Sequence, residues 1–243
     1  SRSRELEVPG RDLAGVHSAM EFLVQQNRRG AGDTIAESVA ISASGKRVVV
    51  IGGGDTGSDC IGTCHRQGAA SVVQLELLPQ PPASRHRTTP WPLWPMQLRT
   101  SHAHEEGGRR DWNVATTSLG GVDGRVTQLH AHRVAPAIDP NGRLHYESIP
   151  GSDFAIDADL VLIAMGFAGP ERDGLLAQLG VALDARGCVR TDAHHMSSVN
   201  GIFAAGDVRR GASLIVWAIR EGRDAAHAID AHVRAAAARV ATA

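Results

Sequence analysis

An apolar run, Lys46-Arg47-Val48-Val49-Val50-Ile51, leads directly into Gly52-Gly53-Gly54-Asp55-Thr56-Gly57, and this junction constrains the fold more than any other stretch of the chain. The run has the continuous hydrophobicity of a parallel strand buried on both faces. Beyond the turn, Gly57, Cys60, Ile61 and Cys64 fall on one helical face ending near Gly68, and Ser71-Val72-Val73-Gln74-Leu75-Glu76-Leu77-Leu78 reads as a second strand. Together they form a βαβ unit. Gly-x-Gly-x-x-Gly is weak evidence alone and gains force from lying between such a strand and helix. Gly52 would permit the tight turn, Gly54 the approach of backbone to a pyrophosphate, and Gly57 close helix–strand packing. The helix N-terminus would present unpaired N–H groups to the anion. Gly53, Asp55 and Thr56 complete the candidate nucleotide turn, whose alternative is a glycine-rich turn that binds nothing.

Glu76 lies 19 positions past Gly57, at the end of the second strand, near the offset at which an acid accepts a bond from a ribose hydroxyl. Alone it favours NADH over NADPH, because a carboxylate repels a 2′-phosphate. Arg85 or Arg87 in the following loop would supply the opposite charge, so the choice between the two nucleotides stays open.

Further features organise the rest of the chain. A strand is expected at Glu5-Leu6-Glu7-Val8, ending at Pro9-Gly10, and a helix with Val16, Ala19, Met20 and Leu23 on its apolar face. Residues 30–45 form a connector. Pro79-Gln80-Pro81-Pro82 and Pro90-Trp91-Pro92-Leu93-Trp94-Pro95 break regular structure. Residues 112–117 and 126–134 resemble an antiparallel meander, with Asp139-Pro140-Asn141-Gly142 as a turn before Arg143-Leu144-His145-Tyr146. Strands are again expected at 158–164 and 201–205, and a final helix from Ser213 into the 230s.

The 243 residues are 42% hydrophobic with a formal net charge of −1, and their basic residues are scattered, which argues against nucleic acid as a partner. The longest apolar run, around Asp159 to Phe167, is far short of the roughly 20 residues a membrane helix needs. No signal-peptide pattern opens the chain, and a cytoplasmic location is expected. Ser1-Arg2-Ser3-Arg4 lacks an initiator Met and reads as a chain entered partway. Cys60, Cys64 and Cys188 are too few for a disulfide framework or a four-thiolate iron–sulfur cluster. Cys60 and Cys64 are expected to pack against the sheet as small apolar groups. The pairs His102/His104 and His130/His132 lack a third convergent metal ligand.

Gly201-Ile202-Phe203-Ala204-Ala205-Gly206-Asp207 delivers an acid to a loop just before a helix. Such an acid can accept a bond from a polyol, and the helix dipole favours an electron-rich ring. With Ala164-Met165-Gly166 after its apolar strand, this segment resembles the second half of the two-dinucleotide-binding flavoproteins. Asp55-Thr56-Gly57-Ser58-Asp59-Cys60, Gln74-Leu75-Glu76-Leu77-Leu78-Pro79, the tryptophan-proline stretch 90–95, His104-Glu105-Glu106-Gly107 and Trp217-Ala218-Ile219-Arg220-Glu221-Gly222-Arg223 are similar to the glutamate synthase small subunit family.

The resemblance implies an α/β chain in which a Rossmann-like nucleotide-binding domain with an antiparallel β insert is itself inserted into a partial FAD-binding Rossmann-like domain. The expected division is 1–44 as flavin-domain segment and linker, 45–168 as the NAD(P)H-binding domain, and 169–243 as the C-terminal FAD-binding segment. By resemblance, Gly52, Gly54 and Gly57 hold the NAD(P)H pyrophosphate, and Gly166 is a further cofactor-binding candidate. Asp207, after Gly206, accepts from the ribityl chain of FAD, and the Ser213 and Leu214 amides face the isoalloxazine. The family passes electrons from NAD(P)H through FAD and iron–sulfur clusters to a large subunit that makes glutamate from glutamine and 2-oxoglutarate. It needs no acid–base pair of its own, because hydride transfer is cofactor chemistry. The family's cluster-ligating cysteines and first flavin glycine motif do not occur in this sequence, so FAD is expected to need that further half. Two alternatives remain: a related NAD(P)H:ferredoxin-type flavin oxidoreductase, or a non-catalytic nucleotide-binding fragment.

Overall fold

A computed structural model of the protein describes residues 1–91, 93 and 96–241. Pro92, Trp94 and Pro95 of the tryptophan-proline stretch lie outside the described residues. The chain forms two compact units, residues 5–166 and residues 1–4 with 167–243. The first strand, β1 (Arg2–Ser3), belongs to the second of these.

In the 5–166 unit, β2 (Val16–Ser18), α1 (Ala19–Gly30), β3 (Arg47–Ile51), α2 (Asp55–Arg66), β4 (Ser71–Glu76), α3 (His102–Glu105) and β5 (Arg109–Trp112) come first. An antiparallel excursion follows, with β6 (Val114–Val122), β7 (Arg125–Ile138), β8 (Leu144–Ser148) and β9 (Phe154–Asp157), and then β10 (Leu160–Ile163) returns. Strands β2-β10-β3-β4-β5 make a five-stranded parallel sheet. Alternation along β3 explains the layers, because successive strand side chains point to opposite faces. Val48 and Val50 pack with Phe22, Cys60, Ile61 and Cys64 under α1 and α2, whereas Val49 and Ile51 pack with Val114, Leu119, Leu129 and Ala131 of the antiparallel strands. All four β10 side chains are buried, each worth about 1.5–3 kcal/mol.

Several sequence expectations shift. The division expected at residue 44 moves to the boundary between residues 4 and 5, because β2 pairs with β10 and α1 buries Ala19 and Phe22 in this core. The second boundary falls between 166 and 167. Val16 is in a strand, and the helix starts only after Ser18, whose hydroxyl accepts the Glu21 N–H while the Glu21 carboxylate accepts the Ser18 N–H. No strand forms at 5–8, where Leu6 and Val8 pack on the core and Gly10 turns at φ +84°. Trp112 ends a parallel edge strand rather than opening the meander, which starts at Val114.

In the other unit, β1 pairs antiparallel with β11 (Phe167–Gly169), followed by α4 (Leu175–Leu179), the one-turn α5 (Asp207–Arg210) and the long α6 (Ile215–Ala241). The strand expected at 201–205 is reduced to a single bridge between Phe203 and Met196. Gly201 and Gly206, at φ +80° and +69°, turn the backbone at both ends of the run and leave it too short for a ladder.

Candidate nucleotide-binding site

The glycine turn lies at the carboxyl end of β3, with β4 on one side and β10 on the other. The chain proceeds outward from β3 through β4 to β5 and reaches β10 only after the meander, so the turn sits where the winding reverses. Ligands of open α/β sheets bind at such switch points.

Each glycine answers to a different constraint. Gly52 has φ +124°, donates its N–H to the Leu75 carbonyl at 2.8 Å, and would place a Cβ 2.2 Å from the Ala164 carbonyl oxygen. A Cβ on Gly57 would come within 2.3 Å of the Gly52 oxygen and 2.8 Å of Gln74 Nε2, so the third glycine lets α2 approach the strand end. Gly53 faces the Glu76 carboxylate, where a Cβ would lie 2.2 Å from Oε2. Gly54, by contrast, has open space where its side chain would be. It is also the N-cap of α2 and offers no side-chain cap, which leaves the first-turn amides at Asp55, Thr56 and Gly57 pointing out of the helix end. This arrangement fits a dinucleotide pyrophosphate, with bare backbone donors and clearance at the middle glycine.

Glu76 ends β4 beside the turn, one carboxylate oxygen accepting the Leu78 N–H at 3.1 Å and the other leaning over Gly53. The turn and Glu76 are thus brought together. Arg85 points its guanidinium within its own loop, donating to the carbonyls of Thr89 and Leu93 at 3.0 Å. Gly166, at φ +82°, follows the end of β10 with free space around it.

Sequence reading missed the polar support beneath the turn. Gln74, 2% exposed between Val73 and Leu75 of β4, donates from Nε2 to the Gly52 carbonyl at 2.8 Å, and its Oε1 meets His104 Nε2 at 3.1 Å. A buried amide between apolar neighbours was the available signal, since such groups are almost always hydrogen-bonded. Cys60 and Cys64 are fully buried, and burial pushes both thiols up, Cys64 to about 12. They pack as expected. Among the described residues no group of three potential ligands could hold a metal, and no helix is long and apolar enough to cross a membrane.

In the 167–243 unit, Asp207 opens α5 and borders a cavity of about 150 Å³ lined by Phe167, Gly169, Pro170, Glu171, Val208 and Ala212 among others. That volume suits part of a cofactor rather than a whole dinucleotide, whose sites run to roughly 300 Å³ or more. Asp207 Oδ1 accepts the Ser213 N–H at 3.3 Å, so this amide serves the acid in the structure, and Leu214 is partly exposed just before α6. The turn holding Asp207 is anchored by Glu221, which the sequence reading quoted within a motif but gave no role of its own. Its buried carboxylate accepts the Gly206 N–H at 2.9 Å and pairs with Arg209 and Arg210 at 2.9 and 2.7 Å. Burial alone would raise its pKa. The Gly206 amide and the two arginines outweigh that and hold it below the usual carboxylate value.

The parallel sheet, its glycine turn and the antiparallel strands define a Rossmann-like α/β protein of the FAD- and NAD-binding kind. The family model described as pyridine nucleotide-disulphide oxidoreductase matches residues 125–222. Among solved structures, Mycobacterium tuberculosis FprA in complex with NADPH aligns with 98% of this chain and 63% of its own at TM-score 0.71 and 17% identity. Thioredoxin reductase of T. acidophilum aligns at TM-score 0.58 and 23% identity, covering 93% of this chain and 61% of its own. These likenesses show the fold.

By sequence the chain is similar to glutamate synthase small chains along nearly all of its own length. It is 53% identical over 233 residues to the glutamate synthase [NADPH] small chain of Mycobacterium tuberculosis (strain ATCC 25618 / H37Rv), covering 95% of this chain and 47% of that one. The corresponding Bacillus subtilis (strain 168) chain is 37% identical over 239 residues, at 96% and 48% coverage. The chain spans about half the length of the curated relatives it matches.

Proposed function

We propose that this chain carries the NAD(P)H-binding site, and part of the FAD-binding site, of an NAD(P)H-dependent flavin oxidoreductase of the glutamate synthase type. The observation that carries the reading is the turn at Gly52–Gly57. Three of its glycines are packed tight against neighbours, while Gly54 alone opens onto space at an uncapped helix N-terminus. In this reading the α2 amides bind the pyrophosphate and Glu76 accepts from the adenosine ribose. The cofactor pair supplies hydride chemistry when bound, and this chain's own groups bind and orient. Asp207 accepts from the ribityl chain, held in place by Glu221.

The full-length protein would draw its remaining flavin contacts, and the iron–sulfur clusters, from the half of the relatives' length that this chain does not span. The first turns of α6 favour such a larger assembly. Ile215, Val216, Trp217 and Ile219 are exposed there at 46–74%, apolar surface of the kind that marks an interaction site. The partner named by this reading is a large subunit forming glutamate from glutamine and 2-oxoglutarate, in the cytoplasm. Copurification of the full-length protein with that subunit, rather than with a ferredoxin-type acceptor, separates the two enzyme readings.

The deciding experiment is NADPH and NADH titration of Gly54→Val. Space at Gly54 means the variant folds without a clash, losing only the modest N-cap preference of Gly over Val, and its branched side chain should abolish nucleotide binding. A variant that binds as the parent does removes the turn as the site.

A further inference from the structure

We infer that Gln74 and His104 position the nucleotide turn through a directed hydrogen-bond chain that fixes the carbonyl of Gly52. The inference rests on the reading of the turn as the nucleotide site. It concerns residues that contact no nucleotide themselves.

The direction of the links from Gly52 through Gln74 to His104 follows from their donors and acceptors. The Gly52 carbonyl only accepts, so the amide of Gln74 must present Nε2 to it, at 2.8 Å. Its oxygen therefore faces His104, 3.1 Å from Nε2, and that ring nitrogen must carry the hydrogen. The other nitrogen, Nδ1, faces the backbone N–H of Ser101 at 3.1 Å and the Ser101 hydroxyl at 2.9 Å. An amide N–H only donates, so Nδ1 must be bare. His104 is thus held neutral in its Nε2–H form by geometry at both ends. Burial and the neighbouring Arg110 also lower its pKa, in agreement with a neutral ring. The Ser101 hydroxyl in turn contacts the hydroxyl of Ser58 on α2. The chain therefore runs from the Gly52 turn through β4 to α3 and back to the helix that opens at the turn.

The Gly52 oxygen is also what a side chain on Gly57 would strike, at 2.3 Å. Its position therefore sets how closely the α2 amides approach the strand end. Without Gln74 and His104 the carbonyl is free to swing, and the amides lose their shared aim.

Two substitutions separate positioning from bulk packing. In His104→Gln the terminal amide reaches the place of Nε2 and keeps the donor to Gln74. In His104→Asn the shorter amide reaches only the place of Nδ1 and loses it. NADPH affinity should stay within about twofold of the parent in the Gln variant and fall about five- to tenfold in the Asn variant, the scale of one lost hydrogen bond. Gln74→Leu should behave as His104→Asn does. A thermal melt of each variant checks that it is folded at the titration temperature. Imidazole ¹⁵N spectra of the parent should show His104 as the Nε2–H tautomer at neutral pH, with or without nucleotide. Equal affinity in the Gln and Asn variants, or a charged or Nδ1–H ring, overturns the inference while leaving the turn as the site. A parent chain that binds no NADPH instead refutes the site reading, and the ring spectrum then still decides whether the chain of bonds is directed as described.

Discussion

Arg47 and Asp159 clamp the entrances of the two central strands. The guanidinium donates from Nε and Nη2 to the two oxygens of Asp159 at 2.9 and 2.8 Å, and the Arg47 backbone N–H adds a third bond at 2.9 Å. The backbone N–H of Asp159 returns one to the Arg47 carbonyl at 2.9 Å. The register of β3 against β10, and so the placement of Gly52 beside Ala164 at the far end, begins at this pair.

The first prediction concerns acid. Hydrogen bonds from the Arg47 side chain, then its backbone N–H, pull Asp159 down to about 2. A folded-state pKa below the unfolded value of about 3.9 means the stabilisation is complete above about pH 4. It drains as the pH falls toward the folded value. Asp159→Asn should therefore lower thermal stability at neutral pH and show no further deficit near pH 2. The difference in melting temperature between parent and variant, followed from pH 6 down to pH 2, checks this. A constant difference across that range contradicts it.

The second concerns Gly57. A methyl group there meets backbone at 2.3 Å, which cannot move aside as a flexible side-chain end would. Gly57→Ala should cost about 1–3 kcal/mol by overpacking and lower the melting temperature by several degrees. Unlike Gly54→Val, it should weaken nucleotide binding and stability together. Calorimetric melts beside nucleotide titrations show whether the two losses travel together in one variant and separate in the other.

How much was legible in the sequence differs by element. The β3–turn–α2 unit was readable because its apolar strand, its glycines and its helical stripe are all local. β5 was not, because Arg109-Arg110-Asp111-Trp112 is a four-residue edge strand without an apolar run. The 201–205 segment had strand composition but finds only one bridging partner. Within the site the glycines were readable because their spacing is local, with Gly52 and Gly57 required by close neighbours and Gly54 by clearance. Their supports were not: Gln74 and His104 are 30 residues apart, and Gly206 and Glu221 are 15 apart, and only the fold joins them.

The third prediction is chemical. Burial raises the thiols of Cys60 and Cys64, the latter to about 12, so neither is a thiolate at neutral pH. Both should resist alkylation in the native protein and react on unfolding. Replacing either with Ala should cost about 1 kcal/mol, as for other single-atom core deletions, and leave nucleotide affinity unchanged. Rapid native-state labelling at both positions, read by mass spectrometry, contradicts the assignment.

The last prediction tests how Asp207 is held. Glu221 is buried, and it is joined to the Gly206 amide immediately before the acid, to Arg209 and to Arg210. Glu221→Ala leaves that amide without its acceptor and two guanidinium groups without their carboxylate. The expected cost is about 2–3 kcal/mol, the scale for bonds to a buried charge. Glu221→Gln keeps an oxygen for the amide but turns an NH₂ toward an arginine, so it should fall between the parent and Ala. Because the folded-state pKa lies below the unfolded one, the contribution is present above the ordinary carboxylate value. It is lost as acid protonates the folded carboxylate, and neither variant should show that dependence. Hydrogen exchange at the Gly206 amide reports the local effect directly and should accelerate strongly in Glu221→Ala. In a protein of the relatives' full length, flavin retention should follow the same order, parent above Gln above Ala. Unchanged exchange at Gly206 in the Ala variant would mean that the turn carrying Asp207 is held by other contacts.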